Sequence, residues 1–221
     1  VENPESPRAV HGDLSLSGDS SGLCVGHIAG FDREGRPLYL IDGLARIHPP
    51  RFGQINLDSV YQLVKFWQES GITIRTFTCD QFQSADLLQR VGRLGIRTDR
   101  LSVDRTIPEN PCEAYEVLSM AVTENRIRFP KNPTLIEELL ALEFDARSRK
   151  VDHPPSGHKD LADALAGCVH ALSKIPAWPL VGAVKGAAFA AAQNQAPLGG
   201  QVTGWGGPMD MIRAARGMPI R

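Results

Sequence analysis

The stretch AVHGDLSLSGDSSGLCVGHIAGF, residues 9–31, determines how the sheet of this protein begins. Val10 and Leu14 are apolar, whereas Asp13 and the residues two positions to either side of it are polar. This period of two is typical of a β-strand with two different faces. After the turn GDSSG, LCVGHIAGF predicts a second strand, and the turn DREGRP leads to a third, LYLIDGLARI (38–47). The short turns predict three antiparallel strands, with Asp13 pointing away from the Val10 face.

The apolar period changes to that of a helix after residue Asn56. LDSVYQLVKFWQESG predicts a helix that stops at Gly71, and ITIRTFTCD predicts a strand that ends at Asp80. A helix over about 84–94 and a strand near 101–104 follow. Strands that alternate with helices indicate parallel crossover units. The sequence therefore predicts an α/β fold with a mixed five-stranded sheet, in which three antiparallel strands precede parallel βαβ units, flanked by helices.

The sequence from residue 111 to residue 173 is mainly helical in pattern. Apolar spacing predicts helices over 111–125, 133–145 and 158–173, with a brief extended segment, RIRFP (126–130), after the first. We expect the last helix to be amphipathic, because apolar residues line one side of it and two aspartates begin the other. Its apolar side would pack on the core and its polar side would face a crevice.

The sequence changes character at Lys174. From there it is rich in Pro, Gly, Ala and Gln, and it lacks the apolar surface needed to offset the entropy of ordering. We predict a folded domain over 1–173 and a flexible tail over 174–221. The most apolar stretch, 179–192, is interrupted by Lys185 and is shorter than the roughly 20 residues of a membrane span, so we expect no membrane segment.

Composition limits the functional classes only loosely. The chain has 221 residues, of which 42% are hydrophobic and 22% charged, as in an ordinary globular domain. Its net charge of -1 gives no general attraction to polyanions, so contact with nucleic acid would need a local basic patch. The four cysteines lie far apart, which indicates reduced thiols rather than a disulfide framework. The first residue is Val1 rather than Met, and we interpret the chain as a fragment of a longer protein.

Four aspartates are the candidate catalytic residues. Asp13 lies in the first strand and Asp80 at the carboxyl end of another, so both can face one crevice if those strands are parallel neighbours. Asp160 and Asp163 lie one turn apart on the last helix and share a face. Hard cations such as Mg²⁺ and Mn²⁺ prefer carboxylate oxygens, so together these residues predict a site for two divalent ions. Singly, each is explained as a turn residue, a helix cap or a partner of a helix dipole.

Four segments resemble the C-terminal nuclease domain of the large terminase subunit of tailed bacteriophages. The similarity spans about residues 8–173, and it implies an RNase H-like fold related to RuvC-type resolvases. The segments that carry it are HGDLSLSGDSSGLCVG (11–26), FTCDQFQS (77–84), ENRIRFPKNPTLIEELLALEF (124–144) and GHKDLADALAG (157–167).

The resemblance implies a metal-dependent endonuclease that cuts double-stranded viral DNA concatemers during genome packaging in the host cytoplasm. It makes Asp13 the metal ligand of the first strand, Asp80 that of the fourth strand and Asp163 that of the last helix. Asp160 is a second ligand or an alternative to Asp163, and Asp19 is an accessory residue. The implied partners are DNA, an upstream ATPase motor domain, the portal protein and the small terminase subunit. No GxxxxGK[ST] loop occurs in this sequence, so the motor itself is not encoded here.

Basic residues form two groups in the sequence. One group lies around the second helix and is either a solvated surface or a DNA contact: Arg90, Arg93, Arg97, Arg100 and Arg105. The other precedes the last helix in a segment that we predict to be an exposed loop or hairpin beside the acids. Within it, the preferred DNA-binding residues are Arg149, Lys150, His158 and Lys159.

Other functions remain as alternatives at this point. A RuvC-like resolvase of branched DNA shares the paired aspartates, and a noncatalytic RNase H-like module could bind DNA or the portal. The histidines and cysteines lack the spacing of a zinc site, and no GxSxG motif of a serine hydrolase occurs. His11 shares the face of Asp13, and we predict an ordinary surface histidine rather than a ligand contact.

Overall fold

The computed structural model describes residues 3–15, 20–51, 54–80, 85–105, 112–155 and 157–176. Asp19 and most of the predicted tail, residues 177–221, lie outside the described residues. A short 3-10 turn covers Val103–Arg105. The strands and helices are β1 Arg8–Asp13, β2 Ser21–Phe31, β3 Pro37–Ile47, α1 Leu57–Glu69, β4 Ile74–Cys79, α2 Ala85–Gly92, β5 Arg97–Arg100, α3 Glu113–Thr123, β6 Ile127–Arg128, α4 Pro133–Ala141, β7 Glu143–Asp145, β8 Lys150–Asp152 and α5 Asp160–Ser173.

A mixed six-stranded sheet with the order β5-β4-β1-β2-β3-β6 forms the centre of the molecule. Strands β1, β2 and β3 pair in antiparallel fashion, whereas β4 joins β1, and β5 joins β4, in parallel. The predicted α/β fold with an antiparallel meander followed by parallel units is confirmed. The predicted count of five strands is wrong, because the extended segment after α3 adds β6 to the edge of the sheet, parallel to β3. Two residues are too few to show a strand period in the sequence.

Two predicted elements are displaced in the structure. The strand predicted near 101–104 is β5, at Arg97–Arg100, and Leu101 and Val103 follow it as buried residues of a turn. These two apolar residues produced the strand pattern in the sequence, whereas the residues of β5 itself, RTDR, are polar. The helix predicted to reach residue 145 ends at Ala141, and the chain then enters a hairpin, β7 and β8.

The two faces of the sheet are covered by different helices. Val10, Leu23 and Phe77 lie in the cluster that packs beneath α1 and α2. Ala9 and Cys24, which point to the opposite face, pack against α5, with α3 and α4 outside it. The alternation of faces predicted for β1 is therefore confirmed, and Asp13 lies on the α5 side. No helix in the described ranges is long and apolar enough to cross a membrane.

Helix α5 is buried on all sides rather than amphipathic, so that prediction is wrong. Every residue from Asp160 to Leu172 is buried, because the sheet covers one side of the helix while α3 and α4 cover the other. Glycines permit this close packing. A side chain at Gly22 would overlap the carbonyl oxygen of Asp160, and one at Gly167 would overlap the ring of His11.

Candidate active site at the end of the sheet

Asp13 and Asp80 lie side by side at the carboxyl ends of two parallel strands. Gly12 in β1 is opposite Cys79 in β4, and the Asp80 amide donates a hydrogen bond of 3.4 Å to the carbonyl oxygen of Gly12. The Ser102 hydroxyl, just after β5, donates a bond of 3.2 Å to Asp80 Oδ2. The predicted neighbourhood of the two aspartates is thus present in the structure.

The first turn of α5 covers these strand ends. Asp13 pairs across the sheet with Gly22, which abuts the main chain of Asp160. Burial, and then the charges of Asp163 and Asp160, raise the pKa of the Asp13 carboxyl to about 8, with a smaller contribution from Asp80. The other three predicted aspartates therefore lie within electrostatic reach of Asp13 at one end of the sheet.

Asp163 is held by hydroxyl and ammonium groups inside the protein. The Tyr115 hydroxyl donates a hydrogen bond to Asp163 Oδ1, and Lys159 Nζ lies 2.9 Å from Asp163 Oδ2. The same ammonium lies 2.8 Å from Asp104 Oδ1. Burial raises the pKa of Asp163 to about 6, although Lys159 opposes that shift. Burial alone would lower the pKa of Lys159, but Asp163 and Asp104 outweigh it and raise that pKa.

Asp160 has a different environment, although it lies only one turn away. Its Oδ2 is 2.9 Å from Arg46 Nη2 at the end of β3. Beside this pair, the buried Glu138 accepts hydrogen bonds of 2.8 and 2.9 Å from the amides of Leu161 and Ala162, and so caps α5. Burial raises the pKa of Glu138, with Asp160 adding to the shift. Asp160 thus contributes to fixing the helix start, whereas Asp163 points toward α3 and the turn after β5.

The four aspartates suit a hard divalent cation, because carboxylate oxygens are the ligands that such ions prefer. Within the described residues, no three histidine, cysteine, aspartate or glutamate side chains converge closely enough to hold one ion. In this conformation the Lys159 ammonium supplies the positive charge next to Asp163. A cation that approaches Asp163 Oδ2 would therefore meet the Lys159 ammonium there.

The predicted DNA-binding residues lie in two different environments. Arg149 is exposed in the turn between β7 and β8, with φ of 54°, and Lys150 begins β8. His158 is exposed two residues before α5. Lys159, by contrast, is 13% exposed and paired with two aspartates. The first three are accessible to a ligand, whereas Lys159 belongs to the acidic cluster.

Sequence reasoning missed several residues of the cluster. Asp104 was assigned to a strand, and Tyr115 and Glu138 to apolar helices, although their polar atoms contact the acids or cap α5. Arg46 and Ser102 carry no motif that distinguishes them. The one available signal was Glu138, because a glutamate among the apolar positions of EELLALEF is costly to bury without partners.

His11 is buried rather than exposed, so its predicted surface position is wrong. Its side chain is fully covered by α5, and Nδ1 lies 2.8 Å from the Thr78 hydroxyl. Burial, with a smaller effect of His170, lowers the pKa of His11 to about 3. The ring is therefore neutral and packs between β4 and Gly167.

Comparison with known proteins adds to this geometry. No protein-family model and no curated protein matches the sequence. The large terminase nuclease from thermophilic phage G20c has a similar structure, with a TM-score of 0.56 and 15% identity over 76% of this chain and 83% of that one. This chain has the fold of the large terminase nucleases.

Two further structures share the terminase nuclease fold. The HK97 bacteriophage large terminase superimposes with a TM-score of 0.57 and 12% identity over 75% of this chain, which corresponds to 39% of that protein. The G20c nuclease with bound cobalt gives a TM-score of 0.55 and 17% identity over 76% of this chain and 82% of that one. The similarity is therefore one of fold, at identities of 12% to 17%.

Proposed function

We propose that this chain is a metal-dependent endonuclease that cleaves double-stranded viral DNA concatemers during genome packaging in the host cytoplasm. The observation that carries the proposal is the meeting of four aspartates, from β1, β4 and α5, at one end of the sheet. The shared fold of the large terminase nucleases supports it. Acids from distant parts of the chain raise one another's pKa, so such crowding is costly unless a cation balances it.

Each aspartate has a proposed role. Asp13, Asp80 and Asp163 hold Mg²⁺ or Mn²⁺, and Asp160 is the second acid of the helix, positioned by Arg46. Two such ions would activate a water molecule on one side of a phosphodiester and stabilise the leaving oxygen on the other. The carboxylates of the protein fix the orientation of the site, and the buried α5 keeps them from moving apart.

Lys159 has a proposed role as an internal counter-ion. Its ammonium pairs with Asp163 and Asp104 and thereby lowers the repulsion among the acids when no cation is bound. The pair is mostly buried, where charges interact more strongly than in water. We expect Lys159 and a divalent cation to compete for Asp163.

DNA contact is proposed for the hairpin side of the cluster. Arg149 and Lys150 belong to the β7–β8 hairpin, and the Cys112 thiol donates to the carbonyl oxygen of Arg149, which ties the hairpin to the start of α3. His158 is exposed between the hairpin and α5. Lysine and arginine contacts to phosphates position DNA without reading its sequence. Lys159 would then act between the DNA and the acids.

The proposed partners follow from the terminase likeness. They are double-stranded DNA, an upstream ATPase motor domain, the portal protein and the small terminase subunit. The chain aligns with 39% of the HK97 bacteriophage large terminase, which leaves room in a protein of that kind for a motor domain.

The proposed function is tested by incubating supercoiled plasmid with the purified chain and Mn²⁺. Asp13→Asn and Asp163→Asn keep the side-chain shape but remove a charged ligand, so we expect nicking to fall by more than about 100-fold. Asp86→Asn is the matched control, because Asp86 is 82% exposed on α2, which packs on the sheet face opposite to α5, and its variant should retain wild-type nicking.

Circular dichroism spectra should be the same for all variants. If the plasmid stays equally intact with wild type and with both site variants, the result would contradict a nuclease and favour a noncatalytic module. A comparison of linear duplex with four-way junctions then tests the resolvase alternative, since a terminase-type nuclease should cut both and a resolvase only the junction.

A further inference from the structure

A cavity lies on the α5 face of the sheet, beside the edge strand β5. Its volume is about 420 Å³, within the range of small-ligand sites. The floor is formed by β4 and β5, and one wall by the last turn of α5 and the residues that follow it. We call it the β5 cleft and define it by Arg75, Arg97, Arg100, His170 and Lys174.

The β5 cleft and the acidic cluster share one face of the sheet. Side chains alternate along a strand, so Thr76 and Thr78 of β4 point to the same side as Asp80. Both threonines line the cleft, and Arg97 of β5 lies opposite Thr76 in the parallel register. Four residues along a strand span about 13 Å. The cleft therefore leads away from Asp80 along the strands, next to α5.

The charge of the β5 cleft is positive. Arg75, Arg97 and Lys174 line it, against Asp99 in the lining and Glu113, which lies 2.8 Å from Lys174. Arg100 lies opposite Cys79, which packs on the α1 and α2 face, so its charge is not counted here. Three positive charges and two negative ones leave a net charge of +1. In the described part of the chain, neither Arg75 nor Arg97 has an ion-pair or hydrogen-bond partner.

Exposed, unpartnered arginines that line one cleft fit phosphate groups. The guanidinium is planar and always charged, and it binds phosphate oxygens through two parallel hydrogen bonds. The Thr76 hydroxyl on the floor adds a hydrogen-bonding group of the kind that also contacts phosphates. The chain's own segment after the cleft is an unsuitable occupant, because residues 177–221 contain four basic residues and one aspartate.

We propose that the β5 cleft binds the phosphate backbone of a DNA strand that extends from the acidic cluster. Along one strand of B-DNA the phosphates advance by about 3.4 Å each, so the roughly 13 Å between Asp80 and Thr76 corresponds to about four nucleotides. The cleft would align the strand with the acids. The direction of the strand rests on the proposed nuclease function, whereas the binding itself does not.

The experiment measures binding of a fluorescein-labelled duplex by anisotropy in EDTA, at several salt concentrations between 50 and 200 mM. We expect Arg75→Ala/Arg97→Ala to weaken binding by about tenfold and to reduce the salt slope by about 2, since each phosphate contact contributes about 0.9. Arg33→Ala/Lys131→Ala is the matched control, because it removes two exposed charges elsewhere on the surface. It should change the affinity by less than about twofold.

The outcomes separate this proposal from the nuclease. Affinity and salt slope equal to those of the control double variant would overturn the cleft assignment, even if Asp13→Asn abolishes nicking. If wild type does not nick plasmid but Arg75→Ala/Arg97→Ala still weakens binding, the cleft assignment holds and the nuclease fails. Arg97→Glu provides a second variant and should weaken binding further. A polyglutamate peptide provides the test for an acidic protein partner. The DNA assignment would be overturned if this peptide bound more tightly than DNA and Arg75→Ala/Arg97→Ala weakened its binding.

Discussion

At the residue scale, Asp13 shows how the folded chain changes the chemistry of a side chain. An aspartate carboxyl in water is ionised well below neutral pH. In the folded protein, burial and the charges of Asp163 and Asp160 raise the pKa of Asp13 to about 8. A cation in the cluster would reverse this effect, because it favours the ionised form. The cost of ionising Asp13 without a cation is therefore measurable as a dependence of stability on pH.

Three of the groups with shifted pKa values contribute to the pH dependence of unfolding as follows. Asp13 and Asp163 hold their protons to higher pH in the folded state than in the unfolded state, so each lowers stability as pH rises from about 4 toward 8 or 6, respectively. His11, with a pKa of about 3 when folded, has the opposite effect between pH 3 and about 6.5. Above pH 6.5, Asp13 is the residue of these three that still keeps most of its protons in the folded protein.

We predict that wild type in EDTA loses stability between pH 6.5 and 8, whereas Asp13→Asn does not. The unfolded state binds fewer protons than the folded state in this window, so the free energy of unfolding falls as pH rises. Since Asp13 is partly exposed, we expect about 1 kcal/mol, or a fall in Tm of about 2–4 °C. Thermal melts by circular dichroism provide the measurement, and parallel curves for the two proteins would contradict the assignment.

At the element scale, the site depends on how closely α5 approaches β2. Gly22 lies opposite Asp13 in the sheet, and its missing side chain lets the main chain of Asp160 reach the strand. A strand glycine at such a contact marks the close approach of another backbone. The glycine thus determines the distance between the aspartate of β1 and those of α5.

Gly22→Ala should destabilise the protein by about 1–3 kcal/mol, because a methyl group there overlaps the Asp160 carbonyl and forces the helix away. Gly30→Ala is the matched control on the same strand, since nothing lies within 4 Å of the added carbon. Urea titrations of both variants measure the free energy of unfolding. A Gly22→Ala variant as stable as Gly30→Ala would show that α5 is not held against β2 as described.

The sequence predicted the strand ends better than the surroundings of α5. Alternation in β1 placed Asp13 on the correct face, and the parallel pairing of β1 with β4 brought it to Asp80, as predicted. The burial of α5 depends on α3 and α4, which pack against it from distant parts of the chain and leave no local pattern. The same holds for Lys159, whose partner Asp104 lies 55 residues away.

At the scale of the whole molecule, the similarity to terminase nucleases extends over the fold, whereas in the sequence it is visible only in short segments. At 12% to 15% identity, this chain shares its fold with terminase nucleases over about three quarters of its length. The residues that the sequence placed in one pocket come from three elements, β1, β4 and α5. Only the complete sheet with its closing helix brings them together, so the integrity of the site and the stability of the whole fold are coupled.

This coupling predicts that Mn²⁺ stabilises the whole molecule. An ion that binds only the folded state raises stability by about 2.7 kcal/mol at 100 times its Kd, which for a chain of this size raises Tm by about 5–10 °C. Differential scanning calorimetry at pH 7.5 over 0–10 mM Mn²⁺ measures the shift, with Asp86→Asn as the exposed control and Asp13→Asn expected to show little gain. Lys159→Met should melt lower without metal and gain more than wild type with it, because the ion then meets no competing ammonium at Asp163. A Tm of wild type that does not change with Mn²⁺, or changes equally in Asp13→Asn, would mean that these carboxylates do not form a cation site.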